Sequence, residues 1–283
     1  MARFVMRLLA GLPLRALHAV GALLGWLAYL ASPTYRRHLR QNMSQAGFGD
    51  PALRGAAIAS AGKMVAELPV VWMRPREQVM RLVRSFDEQD LIAAAQARRQ
   101  AIVFITPHQG CFEITAQAIA ERVPITAMYR PPKLAFLGPL TLEGRGKRNV
   151  RLAPADRSGV RDMLAALKRG ESVGILPDQV PGEGEGEWAD FFGRPAYTMT
   201  LAMKLARRPD TVALLVFGER LARGEGYAVH IRKMPDALPG ESDARRLNRA
   251  LEAQLRECPA QYLWGYNRYK RPRGAPPPPE ASA

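Results

Sequence analysis

The pattern of hydrophobic and polar positions along the chain changes character near residue 100. Before that point apolar residues recur at helical spacing, interrupted by polar residues and prolines. Ser32-Pro33 and Asp50-Pro51 each place an N-cap residue before a proline that suits the first turn of a helix. The pattern therefore predicts that residues 33–100 are mainly helical.

After residue 100, short runs of β-branched and apolar residues alternate with segments of helical period. The predicted strands are AIVFIT (101–106), PITAMY (124–129), SVGIL (172–176), TVALLVF (211–217) and YAVHIRKM (227–234). Alternation of this kind indicates an α/β fold, with a mostly parallel central sheet flanked by helices over residues 101–272. Residues 273–283, which include four consecutive prolines, are expected to form a disordered tail.

An uncharged run of seventeen residues from Ala16 to Ser32 lies near the amino terminus. Arginines flank it on both sides: Arg3, Arg7 and Arg15 before it, and Arg36, Arg37 and Arg40 after it. The run is short for a transmembrane helix, which needs about 20 apolar residues. A cleaved signal peptide is the alternative, but Pro13 and Arg15 interrupt its apolar region and a basic cluster follows it. We expect residues 1–32 to be an uncleaved anchor that lies in the bilayer or barely crosses it.

The composition of the 283 residues, 47% hydrophobic and 24% charged, is typical of a folded globular chain and excludes a disordered or multi-span membrane protein. The net charge is +15, and thirty-four of the forty-one basic residues are Arg. Such a charge indicates an anionic partner, which could be nucleic acid, an anionic membrane surface or a phosphorylated substrate. The anchor favours a membrane over nucleic acid. Two distant cysteines, Cys111 and Cys258, suit a reducing compartment.

Chemically active residues follow three of the predicted strands. His108 and Glu113 come after AIVFIT, Arg130 follows PITAMY, and Asp178 follows SVGIL. In open α/β sheets the carboxyl ends of the strands meet at the edge where ligands bind. The sequence therefore predicts that a base, carboxylates and a cation converge at one edge of the sheet.

His108 and Glu113 are five residues apart, so in the middle of a helix they would face different directions. If His108 lies in the turn before a helix and Glu113 in its first turn, the carboxylate can reach one imidazole nitrogen. The other nitrogen would then be free to activate a hydroxyl for attack on an acyl group. The alternative is that both side chains only cap the helix, but their position at the end of a strand favours catalysis.

The ordered motifs of the chain resemble those of a known family. They are the segment from His108 to Glu113, the arginines Arg130, Arg145 and Arg148, and the segments LKRGESVGILPDQ, FFGRPAYT and QYLWGYNRYKRP. Together they resemble the lipid A secondary acyltransferases, the lauroyl and myristoyl transferases of the lysophospholipid acyltransferase superfamily. The resemblance covers residues 1–272.

The resemblance implies transfer of a fatty acyl chain from acyl carrier protein to a hydroxyl of a phosphorylated lipid A precursor of the Kdo-lipid IVA type. It places the reaction at the cytoplasmic face of the cell inner membrane, with no nucleic acid as partner. A lysophospholipid or another glycolipid is the alternative acceptor. Neither a metal nor an organic cofactor is expected.

Roles for individual residues follow from this reaction. His108 is the expected base, and Glu113 is expected to fix its tautomer and stabilise the imidazolium. Arg145, together with Arg130 and Arg148, would bind the acceptor phosphate or polarise the thioester carbonyl. Asp178 would contribute to substrate binding or pair with one of these arginines.

Three other patterns allow different interpretations. Residues 170–174 match the G-x-S-x-G nucleophile motif, but a helix precedes the predicted strand, which is the wrong order. Cys111 could be a reactive thiolate or a small apolar residue packed under the turn. A basic segment near the carboxyl terminus could bind an acidic carrier protein or simply face solvent; it contains Arg268, Lys270, Arg271 and Arg273.

Overall fold

A computed structural model describes residues 1–132 and 137–279 of the chain. Residues 2–80 are helical, in agreement with the mainly helical structure predicted for residues 33–100. The helices are α1 (Ala2–Ala10), α2 (Leu14–Ala31), α3 (Pro33–Gln45), α4 (Pro51–Ala66), α5 (Leu68–Met73) and α6 (Arg76–Met80). Both predicted helix starts are confirmed, because the Ser32 hydroxyl accepts a hydrogen bond from the Tyr35 amide and the Asp50 carboxylate accepts one from the Leu53 amide.

The rest of the chain forms a seven-stranded sheet, a two-stranded hairpin and six further helices among the described residues. The strands are β1 (Val83–Phe86), β2 (Ala101–Ile105), β3 (Ile125–Tyr129), β4 (Val150–Pro154), β5 (Ser172–Ile175), β6 (Gly186–Phe191), β7 (Arg194–Met199), β8 (Thr211–Arg220) and β9 (Tyr227–Lys233). The helices are α7 (Asp90–Ala97), α8 (Phe112–Ala120), α9 (Gly138–Arg145), α10 (Arg157–Lys168), α11 (Leu201–Ala206) and α12 (Asp243–Glu257).

The strand order in the large sheet is β1-β9-β8-β2-β5-β3-β4. All neighbouring strands run parallel except β8 and β9, which are joined by a six-residue loop and run antiparallel. The predicted α/β fold with a mostly parallel sheet is therefore confirmed. Strand β2 lies in the middle and is buried along its whole length. Its carboxyl end lies between its neighbours β5 and β8, so the loop that follows β2 lies at the centre of that edge of the sheet.

The edge strands β1 and β4 and the hairpin β6–β7 were not predicted. Edge strands bury only one face and carry polar residues, as the sequences VRSF and VRLAP show, so they lack the continuous apolar run that marks a central strand. The first helix, α1, also escaped prediction.

The helix α2 contains most of the predicted anchor and packs against α4 through glycines. A Cβ atom on Gly25 would lie 2.2 Å from the Ile58 carbonyl oxygen, so only glycine permits this close approach. The opposite side of α2 exposes large apolar side chains: Val20, Leu23, Leu24, Trp26, Leu27 and Leu30. Two helical segments, Leu14–Ala31 and Pro51–Met73, are long and apolar enough to cross a membrane, although the second is more than half buried in the protein.

The carboxyl-terminal segment differs from its predicted disorder over residues 273–279. The Ala275 side chain is fully buried, and the Trp188 indole on β6 donates a 3.0 Å hydrogen bond to the Pro276 carbonyl oxygen. These contacts hold the segment against the hairpin. The last four residues of the predicted tail, 280–283, lie outside the described residues.

Candidate active site

The loop between β2 and α8, residues 106–111, is held by strand β8 and by Gln261, which follows α12; we call it the His108 loop. The Cys111 amide donates a 2.7 Å hydrogen bond to the Gly218 carbonyl oxygen, and the Gly110 amide donates one of 2.9 Å to the Gln261 carbonyl oxygen. Gly110 has a φ of +60°, and a Cβ atom there would lie 2.0 Å from the Gly218 oxygen. The glycine in the sequence His-Gln-Gly is therefore required by both conformation and space.

The His108 side chain is positioned by the carboxylate of Asp178, which follows β5. Imidazole Nδ1 lies 2.8 Å from Asp178 Oδ1, and the His108 main-chain amide donates a 2.9 Å hydrogen bond to Oδ2. Nε2, on the other side of the ring, lies 3.3 Å from the side-chain amide nitrogen of Gln179. With Nδ1–H donating to the carboxylate, Nε2 is left as the acceptor, which is the tautomer that a general base needs.

The Asp178 carboxylate stays ionised in this environment. Burial raises the pKa of this carboxyl group. The attraction of His108, the hydrogen bonds from His108 and the charge of Arg268 together lower the pKa by more than burial raises it, so the pKa lies below its usual value. An ionised carboxylate against Nδ1 stabilises the imidazolium that forms when Nε2 takes up a proton. This arrangement suits general-base chemistry at Nε2.

Glu113 has different partners from those predicted. Arg145 Nε donates to both carboxylate oxygens at 3.0 and 3.1 Å, an Arg145 NH2 group lies 2.5 Å from Oε1, and the Trp72 indole donates to Oε2 at 3.0 Å. The imidazole is bonded instead to Asp178, so the predicted contact between Glu113 and His108 is corrected. The physical reason is that Asp178 approaches Nδ1 from the adjacent strand while Arg145, at the end of α9, approaches Glu113 from the other side.

A cavity of about 260 Å³ lies at this edge of the sheet. Six of its lining residues are His108, Phe112, Glu113, Met128, Arg130 and Arg145. Other apolar side chains from β3, β4 and β7 complete the walls. The cavity thus combines a few polar groups with a mainly apolar lining, as small-molecule sites commonly do.

The structure brings most of the predicted site residues together. His108, Glu113, Arg130 and Arg145 line one cavity, and Asp178 is buried directly behind His108. Arg148 is exposed and is not among the residues that line the cavity. Asp178 pairs with His108 rather than with Arg130, Arg145 or Arg148, which corrects the alternative role expected for it.

The Cys111 thiol is buried, and its pKa is raised well above the ordinary value by burial first and then by the nearby Glu67 carboxylate. It packs among apolar side chains, so packing is the use of this cysteine that the structure supports. Ser172 begins strand β5 after the helix α10, which confirms that the G-x-S-x-G match is not a nucleophile turn. Within the described ranges there is no group of three His, Cys, Asp or Glu side chains placed to hold a metal ion.

The segment that follows α12 supports the His108 loop, which the sequence did not reveal. The Leu263 amide donates a 3.0 Å hydrogen bond to the His108 carbonyl oxygen, and Asn42 on α3 donates to the carbonyl oxygens of Trp264 and Tyr266, both at 2.7 Å.

Arg268, expected on a basic surface patch, is buried and donates to the Tyr197 carbonyl oxygen at 2.8 Å. The patch is therefore smaller than predicted.

Comparison with known proteins agrees with this geometry. A family model described as bacterial lipid A biosynthesis acyltransferase matches residues 1–271. The chain belongs to this family. Membership makes it an acyltransferase of lipid A biosynthesis and confirms the resemblance found in its motifs.

Individual relatives in this family are distant. The chain is 28% identical over 221 residues to the lipid A biosynthesis palmitoleoyltransferase of Escherichia coli strain K12, covering 76% of this chain and 71% of the relative. It is 27% identical over 223 residues to the lipid A biosynthesis lauroyltransferase of the same strain, covering 77% and 72%. A lipid A biosynthesis acyltransferase of Haemophilus influenzae is 24% identical over 218 residues, covering 75% and 68%.

Proposed function

We propose that the protein transfers a fatty acyl chain from acyl carrier protein to a hydroxyl of a phosphorylated lipid A precursor of the Kdo-lipid IVA type. Two observations support this assignment: the His108–Asp178 pair lies at the wall of a cavity with an apolar interior, and the chain belongs to the lipid A acyltransferase family. The pair carries the proposal most directly, because it supplies an oriented base beside a space suited to an acyl group.

His108 acts as the base in the proposed reaction. Its Nε2 takes the proton of the acceptor hydroxyl as the oxygen attacks the thioester carbonyl carbon, and a tetrahedral oxyanion forms. The carbon–sulfur bond then breaks, and the thiol of the carrier leaves with the proton that the imidazolium returns. Asp178 holds Nδ1 and stabilises the imidazolium between the two steps. The net reaction exchanges a thioester for an ester, so it needs no oxidant or reductant.

Glu113 and Arg145 supply the electrostatics around the carbonyl in this proposal. Arg145 is fixed by Glu113, and its guanidinium also lies near the Trp72 ring, with the carbon atom 5.7 Å from the ring centroid. It is 27% exposed, so it still faces the cavity while it is held rigidly. Arg145 donates to the oxyanion or to an acceptor phosphate, and Glu113 is the residue that aims it. Arg130 lies at the cavity and is exposed, and Arg148 is exposed outside the lining, so both would contact the phosphorylated headgroup.

The location that we propose is the cytoplasmic face of the inner membrane. The exposed apolar side of α2 would enter the bilayer, and arginines near both of its ends would face anionic headgroups. A net charge of +15 also favours an acidic carrier protein as donor.

The proposed function is tested with the purified protein in detergent. Acyl transfer is measured from acyl carrier protein and from acyl coenzyme A to three acceptors: the phosphorylated tetraacyl disaccharide with Kdo, the same lipid without phosphates, and a lysophospholipid. We expect the highest kcat/KM with the carrier-bound donor and the phosphorylated disaccharide. A higher kcat/KM with the lysophospholipid would show that the acceptor is a lysophospholipid. An unchanged rate in His108→Ala would contradict the role of His108 as the base.

A further inference from the structure

A second cleft, on the amino-terminal side of the molecule, lies between α2, α4 and the turn that joins β8 to β9. Its volume is about 380 Å³. Its rim carries three cationic side chains, Arg15, Lys63 and Arg223. Within the described part of the chain, none of the three forms an ion pair. The cleft is therefore a concentration of positive charge outside the proposed active site.

The fold holds these cations together. Arg223 lies in the turn at residues 222–224, and this turn packs on the first turn of α2: a Cβ atom on Gly224 would come within 2.6 Å of the Arg15 amide nitrogen. The helix α2 begins at Leu14 with no side-chain cap and no acidic residue in its first turn. Its free amino-terminal amides add positive partial charge at the place where the two arginines meet.

The acidic residue behind the cleft is already neutralised. The Glu67 carboxylate receives hydrogen bonds from Arg220 at 2.8 and 2.9 Å and from the Tyr227 hydroxyl at 3.1 Å, and His18 Nε2 lies 3.3 Å from it. Both members of the Glu67–Arg220 pair are buried. The three rim cations therefore keep their full attraction for an anion that enters from outside. His18 is itself part of this buried cluster.

One wall of the cleft is apolar. It consists of small side chains from α2 and α4 that are exposed or half-buried: Ala19, Ala22, Ala56 and Ala59. The same helix α2 exposes its large apolar residues to the surroundings, including Leu23 and Leu27. A ligand that fits such a cleft has an anionic head for the cationic rim and a hydrocarbon chain for the alanine wall.

We propose that the cleft between α2 and α4 binds one anionic phospholipid, with its phosphate at Arg15, Lys63 and Arg223 and an acyl chain along the alanines. The site is separate from the cavity that holds His108. It is linked to the His108 loop, however, because Arg220 at its back donates a 2.8 Å hydrogen bond to the Gly110 carbonyl oxygen. A lipid bound here would stabilise the contact between the anchor helix and the loop that carries the base.

The test is a native mass spectrometry titration of phosphatidylglycerol into the detergent-solubilised full chain. Detergent removes the surface potential of a bilayer, so the titration reports the site itself. The triple variant Arg15→Gln, Lys63→Gln, Arg223→Gln should bind the lipid at least about tenfold more weakly, because the phosphate loses all three charged hydrogen-bond donors. The variant Ala19→Leu, which adds bulk to the alanine wall while leaving the charges, should also weaken binding.

A matched control removes three positive charges from another groove. Arg40, Arg54 and Arg194 line a basic groove beside α3, and changing all three to Gln should leave the phosphatidylglycerol affinity within about twofold of the wild type. Equal losses in the two triple variants would show unspecific electrostatics and overturn the site. Two more arms use the wild type: phosphatidylcholine should bind much more weakly, and comparable binding of inorganic phosphate alone would show a simple anion site and overturn the phospholipid assignment.

Discussion

Asp178 holds His108 with both of its carboxylate oxygens, one at imidazole Nδ1 and the other at the His108 main-chain amide, at 2.8 and 2.9 Å. One side chain therefore fixes both the tautomer of the ring and the position of the loop that carries it. The two residues follow neighbouring strands, β2 and β5, whose carboxyl ends lie side by side. In the proposed mechanism this relationship prepares Nε2 for proton transfer.

Asp178→Asn is expected to reduce kcat by about 100-fold or more, because an amide has one acceptor for two donors and cannot stabilise the imidazolium. KM should change less, since Asp178 is buried behind the ring and does not line the cavity. Steady-state kinetics of wild type and variant measure both constants. A kcat within about threefold of the wild type would contradict the role given to Asp178.

The stability of the protein should fall in acid partly through Asp178. Its folded-state pKa lies below the usual value near 3.9, so its contribution is present above that value and is lost as pH falls through the folded pKa. Thermal unfolding in detergent between pH 6 and about pH 3 should therefore show a steeper loss of Tm for the wild type than for Asp178→Asn. Parallel curves would mean that the carboxylate titrates normally in the folded protein.

Glu113 and Arg145 should behave as one unit. Because Glu113 acts by holding Arg145, the double variant Glu113→Gln, Arg145→Gln should be no slower than the slower single variant, and each single should lower kcat at least about tenfold. The control is Glu121→Gln, which breaks the exposed pair with Arg76 at the other end of α8 and should leave kcat unchanged. Losses that multiply in the double variant would mean that the two side chains act independently.

The Arg145 side chain also permits a test of phosphate recognition. If Arg145 binds the acceptor phosphate, Arg145→Ala should lose about 10- to 1000-fold in kcat/KM on the phosphorylated acceptor and little on the dephosphorylated one. If it serves the oxyanion, the two losses should be equal. Lys at position 145 should restore only part of the rate, because it lacks the planar fork that Glu113 holds.

Gly110→Ala should be far more damaging than Gly170→Ala. Both glycines have positive φ, +60° and +74°, but only Gly110 faces a close carbonyl oxygen, that of Gly218, while Gly170 faces open space. Gly170→Ala should cost about 1 kcal/mol through backbone strain alone. Gly110→Ala should in addition displace the His108 loop and abolish transfer. Melting curves and activity assays of the two variants make the comparison, and similar effects in both would refute the close contact.

Membrane attachment should resist salt and depend on the exposed side of α2. Leu23→Lys with Leu27→Lys should release much of the protein from washed membranes, because each change places a charge in the apolar layer. The control Leu238→Lys alters an equally exposed leucine outside the anchor and should remain bound. Complete release of the wild type by high salt without detergent would contradict an embedded anchor.

Much of the architecture was predictable because it depends on local chemistry. A few consecutive residues are enough to predict the helix caps at Ser32 and Asp50 and the apolar strands β2 and β5. The convergence of His108, Arg130 and Asp178 at one edge followed from the position of each residue directly after a predicted strand of a mostly parallel sheet. Strand β4 could not be predicted, because its sequence VRLAP becomes a strand only through pairing with β3.

The partners of charged residues were harder to predict than their neighbourhood. The spacing of His108 and Glu113 suggested that the two pair, but pairing is decided by residues far away in sequence. Asp178 is seventy positions from His108, and Arg145 is thirty-two from Glu113. A motif of six residues could identify the site without stating which carboxylate orients the base.

The central claim is that the protein acylates a lipid A precursor in this cavity and that His108 is the base. Its most direct test is mass spectrometry of lipid A from cells that lack the gene, each complemented with the wild type, His108→Ala or Asp178→Asn. The wild type should restore a lipid A species that is heavier by one fatty acyl chain, His108→Ala should restore none, and Asp178→Asn should restore little. Full restoration by His108→Ala, at equal protein levels in the membrane, would contradict the account.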